Sequence, residues 1–194
     1  MEFMAKEAVL FPELETTAEP AGFRYQENVI TEAEESALLA YLQKLDLRPF
    51  EFHGHLANRR VLSFGLRYDY DRRVVEAANE FPPFLDELRA RVADFAGHDA
   101  GEFRQAGINE YQAGAGIGWH RDRPQFGIVV GVSLAAPATM RFRRAQDRGW
   151  ARRSRVLAPR SAYLLSGESR TEWEHSIPPV DELRYSLIFR TLSS

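Results

Sequence analysis

The sequence predicts an α+β protein: a jelly-roll β core with N-terminal helices packed on it. Two capped helical patterns come before residue 104. Short β-rich runs separated by Gly, Pro or polar turns come after it, at the spacing of an antiparallel sandwich or jelly roll. The length of 194 residues suits one ordinary domain, and 44% hydrophobic residues suffice to bury a core.

In chain order, residues 1–20 are acidic and aperiodic and end at Pro20, which reads as an N-terminal arm. Ala21–Ile30 reads as extended. Thr31 with Glu34 three residues on is a capping box, and Leu38, Leu39, Leu42 and Leu45 then share a helical face, with Pro49 as the stop. Residues 50–73 are rich in aromatics and arginine and hold strand-like pieces such as Val61–Phe64. Pro82-Pro83 opens a second helix whose apolar face is Leu85, Leu88, Val92 and Phe95, and Gly97 closes it. The β-rich runs are Ala106–Gln112, Ile117–Asp122, Phe126–Leu134, Thr139–Arg144, Trp150–Leu157, Ala162–Leu165 and Leu183–Thr191. The layout is one domain: an arm over 1–20, helices and a mixed segment over 21–104, and the β core over 105–194.

Composition narrows the chemistry. There is no cysteine, which excludes disulfides, thiolate nucleophiles and sulfur-ligated metals, so any metal must be held by carboxylates and the five histidines. Lys6 and Lys44 are the only lysines, leaving 23 arginines. A formal charge of −3 argues against a bulk polycation, with residues 1–50 at −6 and the remainder at +3. No apolar run has the length of a membrane span and no signal pattern opens the chain, so a soluble, cytoplasmic monomer is expected.

His120-Arg121-Asp122 places an imidazole and a carboxylate at i and i+2, on one face if the segment is a strand. His175 is the natural third ligand. Two histidines and a carboxylate on one face of an octahedron form the ligand set of non-haem Fe(II) oxygenases. Gly114, Gly116 and Gly118 crowd the approach to His120 and allow a tight turn with close backbone contact. In the last strand, residues 184, 186, 188 and 190 share one face while Tyr185, Leu187 and Phe189 pack on the other. Arg184 and Arg190 on a buried face need an anion, such as a dicarboxylate. On an exposed face they would only pair with Asp181 or Glu182. Asn109 and Tyr111, also at i and i+2, can add polar contacts from a neighbouring strand.

Asn109-x-Tyr111, His120-x-Asp122, His175 and Arg184-x5-Arg190 occur in the order and approximate spacing of the AlkB-like family of Fe(II)/2-oxoglutarate-dependent dioxygenases. The chain resembles that family over roughly residues 105–192. The resemblance implies a double-stranded β-helix core, Fe(II) bound by His120, Asp122 and His175 as the catalytic centre, and O2 as oxidant. It implies 2-oxoglutarate held by Arg184, with Asn109, Tyr111 and Arg190 completing the pocket. The family's last strand reads Arg-x-Asn-x-Thr-x-Arg, whereas Ser186 and Ile188 stand at the middle positions here. Six residues of strand span about 20 Å, longer than 2-oxoglutarate, so Arg190 either leans in to the cosubstrate, holds Asp122 or lines the substrate entrance.

Residues 50–73 fall where that family places its nucleotide-recognition lid. Arg59, Arg60, Phe64, Arg67, Tyr68 and Tyr70 are the candidate substrate contacts, with arginines for phosphates and aromatics for base stacking. Seven arginines between 141 and 155 sit on a hairpin turning at Asp147-Arg148-Gly149, either tracking a nucleic-acid backbone or forming a solvated face. Trp119 and Trp173 flank two of the ligands and read as packing that excludes water. The expected activity is oxidative demethylation of N-alkylated bases in DNA or RNA, plausible as alkylation-damage repair, with succinate as coproduct. The alternatives are the same chemistry on a protein or small-molecule amine, and a non-catalytic β-sandwich binding module.

Overall fold

The computed structural model describes residues 19–52, 55–69 and 72–193. Most of the expected N-terminal arm therefore lies outside the described residues. The strands are β1 (Phe23–Gln26), β2 (Arg48–Phe52), β3 (His55–Phe64), β4 (Leu66–Asp69), β5 (Val74–Ala77), β6 (Phe103–Tyr111) and β7 (Ile117–His120). They continue as β8 (Phe126–Leu134), β9 (Ala138–Ala145), β10 (Trp150–Leu157), β11 (Ala162–Leu165), β12 (Glu174–Ile177) and β13 (Arg184–Leu192). The helices are α1 (Glu32–Leu42), α2 (Asp86–Ala96) and the short α3 (Gly167–Thr171).

A seven-stranded sheet runs β1-β11-β8-β13-β6-β3-β2, a four-stranded sheet runs β10-β9-β12-β7, and β4 and β5 form a separate hairpin. All the strand pairs are antiparallel. This is the expected jelly-roll core with helices on it. One apolar cluster joins Leu38, Leu42, Leu85, Leu88 and Val92 of the helical segments to Ile108, Val132, Leu187 and Phe189 of the large sheet. A second cluster fills the space between the sheets, with Val129, Met140, Phe142, Leu157 and Ile188. The strand period of two decides which residue joins which cluster: on β13, Tyr185, Leu187 and Phe189 face the helices, while Ile188 packs between the sheets.

The helix ends follow local chemistry. The Thr31 side chain accepts from the Glu34 amide at 3.2 Å while the Glu34 carboxylate accepts from the Thr31 amide at 2.7 Å. A 3-10 turn over Pro83–Leu85 leads into α2, and Gly97 ends it at φ +77°, a left-handed value that glycine adopts without penalty. The first helix ends at Leu42, earlier than Pro49 suggested. Pro49 instead sits in β2 at the sheet edge, where a missing N–H is tolerated. Among the described residues no helix is long and apolar enough to cross a membrane.

Candidate active site

The two histidines meet because β7 and β12 are neighbours in the small sheet and pair His120 directly with His175. Their ring centroids lie 4.3 Å apart. Nδ1 of His120 is 2.9 Å from the Gly118 carbonyl, which can only accept. That nitrogen therefore carries the hydrogen, and the Nε2 lone pair is left free. Gly116 supports this turn: a Cβ there would come within 2.6 Å of the Ile177 carbonyl oxygen.

Asp122 lies beyond the end of β7, so the pair is set by a strand end and a loop and not by strand alternation. Oδ1 of Asp122 accepts from Arg190 Nε at 2.8 Å and Nη2 at 2.6 Å, and Oδ2 lies 3.5 Å from His175 Nε2. One ligand atom from each of His120, Asp122 and His175 lies within 4.8 Å of the others, a spacing at which one ion can reach all three. The buried Arg170 holds the loop that carries Asp122. It donates to the carbonyls of Asp122 (3.1 Å), Arg123 (2.6 Å), Phe126 (2.7 Å) and Gly127 (2.9 Å).

The electrostatics favour neutral imidazoles beside an ionised carboxylate, the forms that ligate a cation. Burial, with His120 adding to it, pushes His175 down to about 3. Burial also lowers His120, against the pull of Asp122. Burial opposes ionisation of Asp122, but the Arg190 guanidinium beside it, helped by Arg170, outweighs it and holds the carboxyl well below its usual range.

Next to this centre stands Arg184, 1% exposed and among the largest fully buried side chains. The face of β13 that carries it is therefore buried, and pairing with Asp181 or Glu182 at a wet surface is not what the structure shows. Its Nε donates to Ser133 Oγ at 3.2 Å and its Cζ lies 5.1 Å from the Tyr111 ring centroid. Nη1 is buried with no hydrogen-bond partner. A buried guanidinium with a spare donor calls for an anion. Register places Tyr111 and Asn109 of β6 opposite Arg184 and Ser186. Tyr163 of β11 completes this wall. Its ring packs against Gly131, where a Cβ would come within 2.3 Å of it, and burial pushes its phenol up. A dicarboxylate cosubstrate beside a metal fits this donor set.

Asn109, Tyr111, His120, Asp122, His175, Arg184 and Arg190 all line one cavity of about 1180 Å3. Of the alternatives for Arg190, the contact with Asp122 is the one present: its guanidinium donates to Asp122 Oδ1 and to Gln105 Oε1 at 2.8 Å, while the side chain still lines the cavity. Of the lid candidates, Arg59, Arg67 and Tyr68 line the cavity. Arg59 is buried with its Cζ 4.6 Å over the Phe50 ring, and its Nε has no partner. Arg67 donates to Glu76 across the β4–β5 hairpin at 2.8 Å.

Two lid candidates are corrected. Arg60 points to the opposite face of β3 and clamps Glu110 through Nε (2.7 Å) and Nη2 (2.8 Å). Phe64 is buried in the helix-side core. Tyr70 lies outside the described residues. Sequence reasoning missed Ser133, Tyr163, Gln105 and Arg170. Their only local signal was burial of a polar group in a strand or short helix.

A family model described as the 2OG-Fe(II) oxygenase superfamily matches residues 22–190. The chain is 31% identical over 188 residues to a protein of Arabidopsis thaliana named "Alkylated DNA repair protein ALKBH8 homolog". That match covers 84% of this chain and 53% of the relative. A Mus musculus protein named "tRNA (carboxymethyluridine(34)-5-O)-methyltransferase ALKBH8" is 28% identical over 167 residues, covering 82% of this chain and 24% of that protein. The chain thus spans about half the length of the first and a quarter of the second. Among solved structures, OsALKBH1 superposes with TM-score 0.64 at 15% identity, covering 90% of this chain and 98% of that one. A Pseudomonas putida prolyl-4-hydroxylase gives TM-score 0.62 at 14% identity, covering 89% and 93%. At these identities the structural likeness is one of fold.

Proposed function

This chain is an AlkB-like member of the 2OG-Fe(II) oxygenase superfamily, a dioxygenase that works with Fe(II), 2-oxoglutarate and O2, and on that premise we propose that it removes N-linked alkyl groups from nucleobases of DNA or RNA. When bound, iron and 2-oxoglutarate supply oxidation of a substrate C–H bond by O2. For an N-methyl group the products are the N–H base, formaldehyde, succinate and CO2. In this reading His120 Nε2, His175 Nε2 and Asp122 Oδ2 hold the iron. Arg190 fixes the orientation of Asp122 by a two-pronged contact to Oδ1, leaving Oδ2 for the metal.

Arg184 receives the far carboxylate of 2-oxoglutarate on its spare Nη1, with Ser133 and Tyr111 keeping its side chain in place. Asn109 adds a polar contact on the same wall. Arg59 and Tyr68 line the part of the cavity built from β3 and β4, where a flipped or single-stranded base meets a cation and an aromatic ring. Alkylation-damage repair is the role that fits such a reaction.

The observation that carries this reading is the shared cavity: a two-histidine, one-carboxylate cluster and a buried arginine with an unused donor face the same space. The test is succinate release over a panel of N-methylated DNA, RNA and peptide substrates. Methylated oligonucleotides stimulate release, and His120→Ala abolishes it. Stimulation by methylated peptides above every oligonucleotide would overturn the substrate assignment.

A further inference from the structure

Strand alternation divides the arginines of the β9–β10 hairpin into two sets with different company. On the inward side, Arg144 pairs with Glu168 and Glu172, and Arg155 pairs with Glu19. Arg153 there lies over Trp173. These are matched locally and belong to the fold.

The outward face of the small sheet differs. Register puts Arg152 beside Arg143 and Ser154 beside Arg141, and Glu174 of β12 lies opposite Arg143. Arg143 is held between two indoles, with its Cζ 4.6 Å from the Trp119 ring centroid and 4.3 Å from that of Trp150, and its Nε donates to Glu174 at 2.6 Å. The Cζ of Arg141 also lies over the Trp119 ring, 5.6 Å from its centroid. Trp150 is 43% exposed, and Arg141 and Arg152 are exposed. Among the described residues Arg141, Arg148 and Arg152 form no ion pair. The face thus offers a fixed Arg–Trp stack and cations that form no ion pair, apart from Arg143 with Glu174.

That combination matches a partner with spaced negative charges and flat rings. Arginines meet phosphates, and an exposed indole stacks a base without regard to its identity. The face also adjoins the cavity, because Trp119 sits between Gly118 and His120 on the edge strand β7 and lines the cavity itself. From β7 to β10 the face spans three interstrand spacings, about 14 Å.

We propose that the outward face of the β10-β9-β12-β7 sheet is a second nucleic-acid contact surface, which binds the single strand flanking the base held in the cavity. The proposal rests on the nucleobase reading above, and the experiment separates the two. Turnover and binding are measured for a methylated trinucleotide and a methylated 12-mer, as DNA and as RNA, with wild-type protein, Arg141→Gln/Arg152→Gln and Trp150→Ala. The variants sit on an exposed face, and matched thermal melts report their folding.

Trinucleotide turnover stays within about twofold of wild type. The 12-mer binds at least about tenfold more weakly to the double variant, and the slope of log affinity against log salt falls by about 1.4, the loss of two single-strand phosphate contacts. Trp150→Ala weakens 12-mer binding at least about fivefold with little change of slope. If both variants bind the 12-mer as wild type does, the surface assignment is wrong and the cavity reading stands. If wild-type protein binds and turns over neither oligonucleotide, both fall together.

Discussion

Arg190 grips Oδ1 of Asp122 with two nitrogens, at 2.8 and 2.6 Å, while Oδ2 turns to His175. An acid whose side chain is 6% exposed is thereby kept ionised and aimed by a cation that does not itself ligate. Arg190 acts through Asp122. Arg190→Gln therefore weakens metal affinity by about 10- to 100-fold, with a smaller effect on the KM for 2-oxoglutarate. Titration with Fe(II) or Co(II) under anaerobic conditions reads the first quantity, and succinate kinetics read the second. An unchanged metal affinity would show that the Asp122 contact is dispensable.

Arg184 carries the opposite expectation. Its Nη1 is buried without a partner, and Arg184→Met removes that cost while roughly conserving volume, so the variant is at least as stable as wild type without cosubstrate. The gain of thermal stability on adding 2-oxoglutarate, present in wild type, is lost in the variant. The KM for 2-oxoglutarate rises by about 10- to 150-fold, the equivalent of a charge-assisted hydrogen bond of about 1.5–3 kcal/mol. Retained protection by 2-oxoglutarate would move the carboxylate site elsewhere.

Arg59 and Arg60 are neighbours in sequence and should separate in function. Arg59→Ala leaves stability little changed and raises the KM for the oligonucleotide. Arg60→Ala strips Glu110 of its bidentate partner and destabilises the fold by about 1–2 kcal/mol with substrate KM unchanged. Chemical denaturation together with steady-state kinetics on both variants checks the pair.

Glu110 also predicts a pH dependence. Burial resists its ionisation, but donors from Gln112, Arg60 and Tyr185 outweigh it and hold the carboxyl below its ordinary 4.5. Burial and Glu110 in turn push the Tyr185 phenol up to about 12. A carboxyl with a lowered folded pKa adds stability that is fully present above the unfolded value and is lost as pH falls through the folded one. Glu110→Gln is accordingly less stable than wild type at pH 7, and the gap narrows on acidification below about pH 4.5. Melting temperatures of both proteins across that range make the comparison. A gap that stays constant would remove Glu110 from the account.

The sequence patterns that carried the fold were those bounded by strong turn signals. Phe126–Leu134, Trp150–Leu157 and Ala162–Leu165 appear with the expected limits. The short strands β2, β4, β5 and β12 were not legible, because Pro, Arg and Glu within them break the apolar alternation. At the site, His120-x-Asp122 was visible as a spacing, but the reason it holds together was not. Arg170 braces that loop through four carbonyls from a five-residue helix 48 residues away from Asp122.

The lid shows the same limit in miniature. Adjacent strand residues face opposite sides. Which of Arg59 and Arg60 reaches the cavity depends on the register of β3 against β6, which sets Arg59 beside Tyr111 and Arg60 beside Glu110. No local pattern encodes that choice.

The most direct test of the account is the ratio of formaldehyde to succinate released from an N-methylated oligonucleotide, with the unmethylated strand as control. Dealkylation predicts one formaldehyde per succinate and recovery of the unmodified base. Succinate formed with no formaldehyde, and an oxidised group retained on the nucleoside, would contradict it.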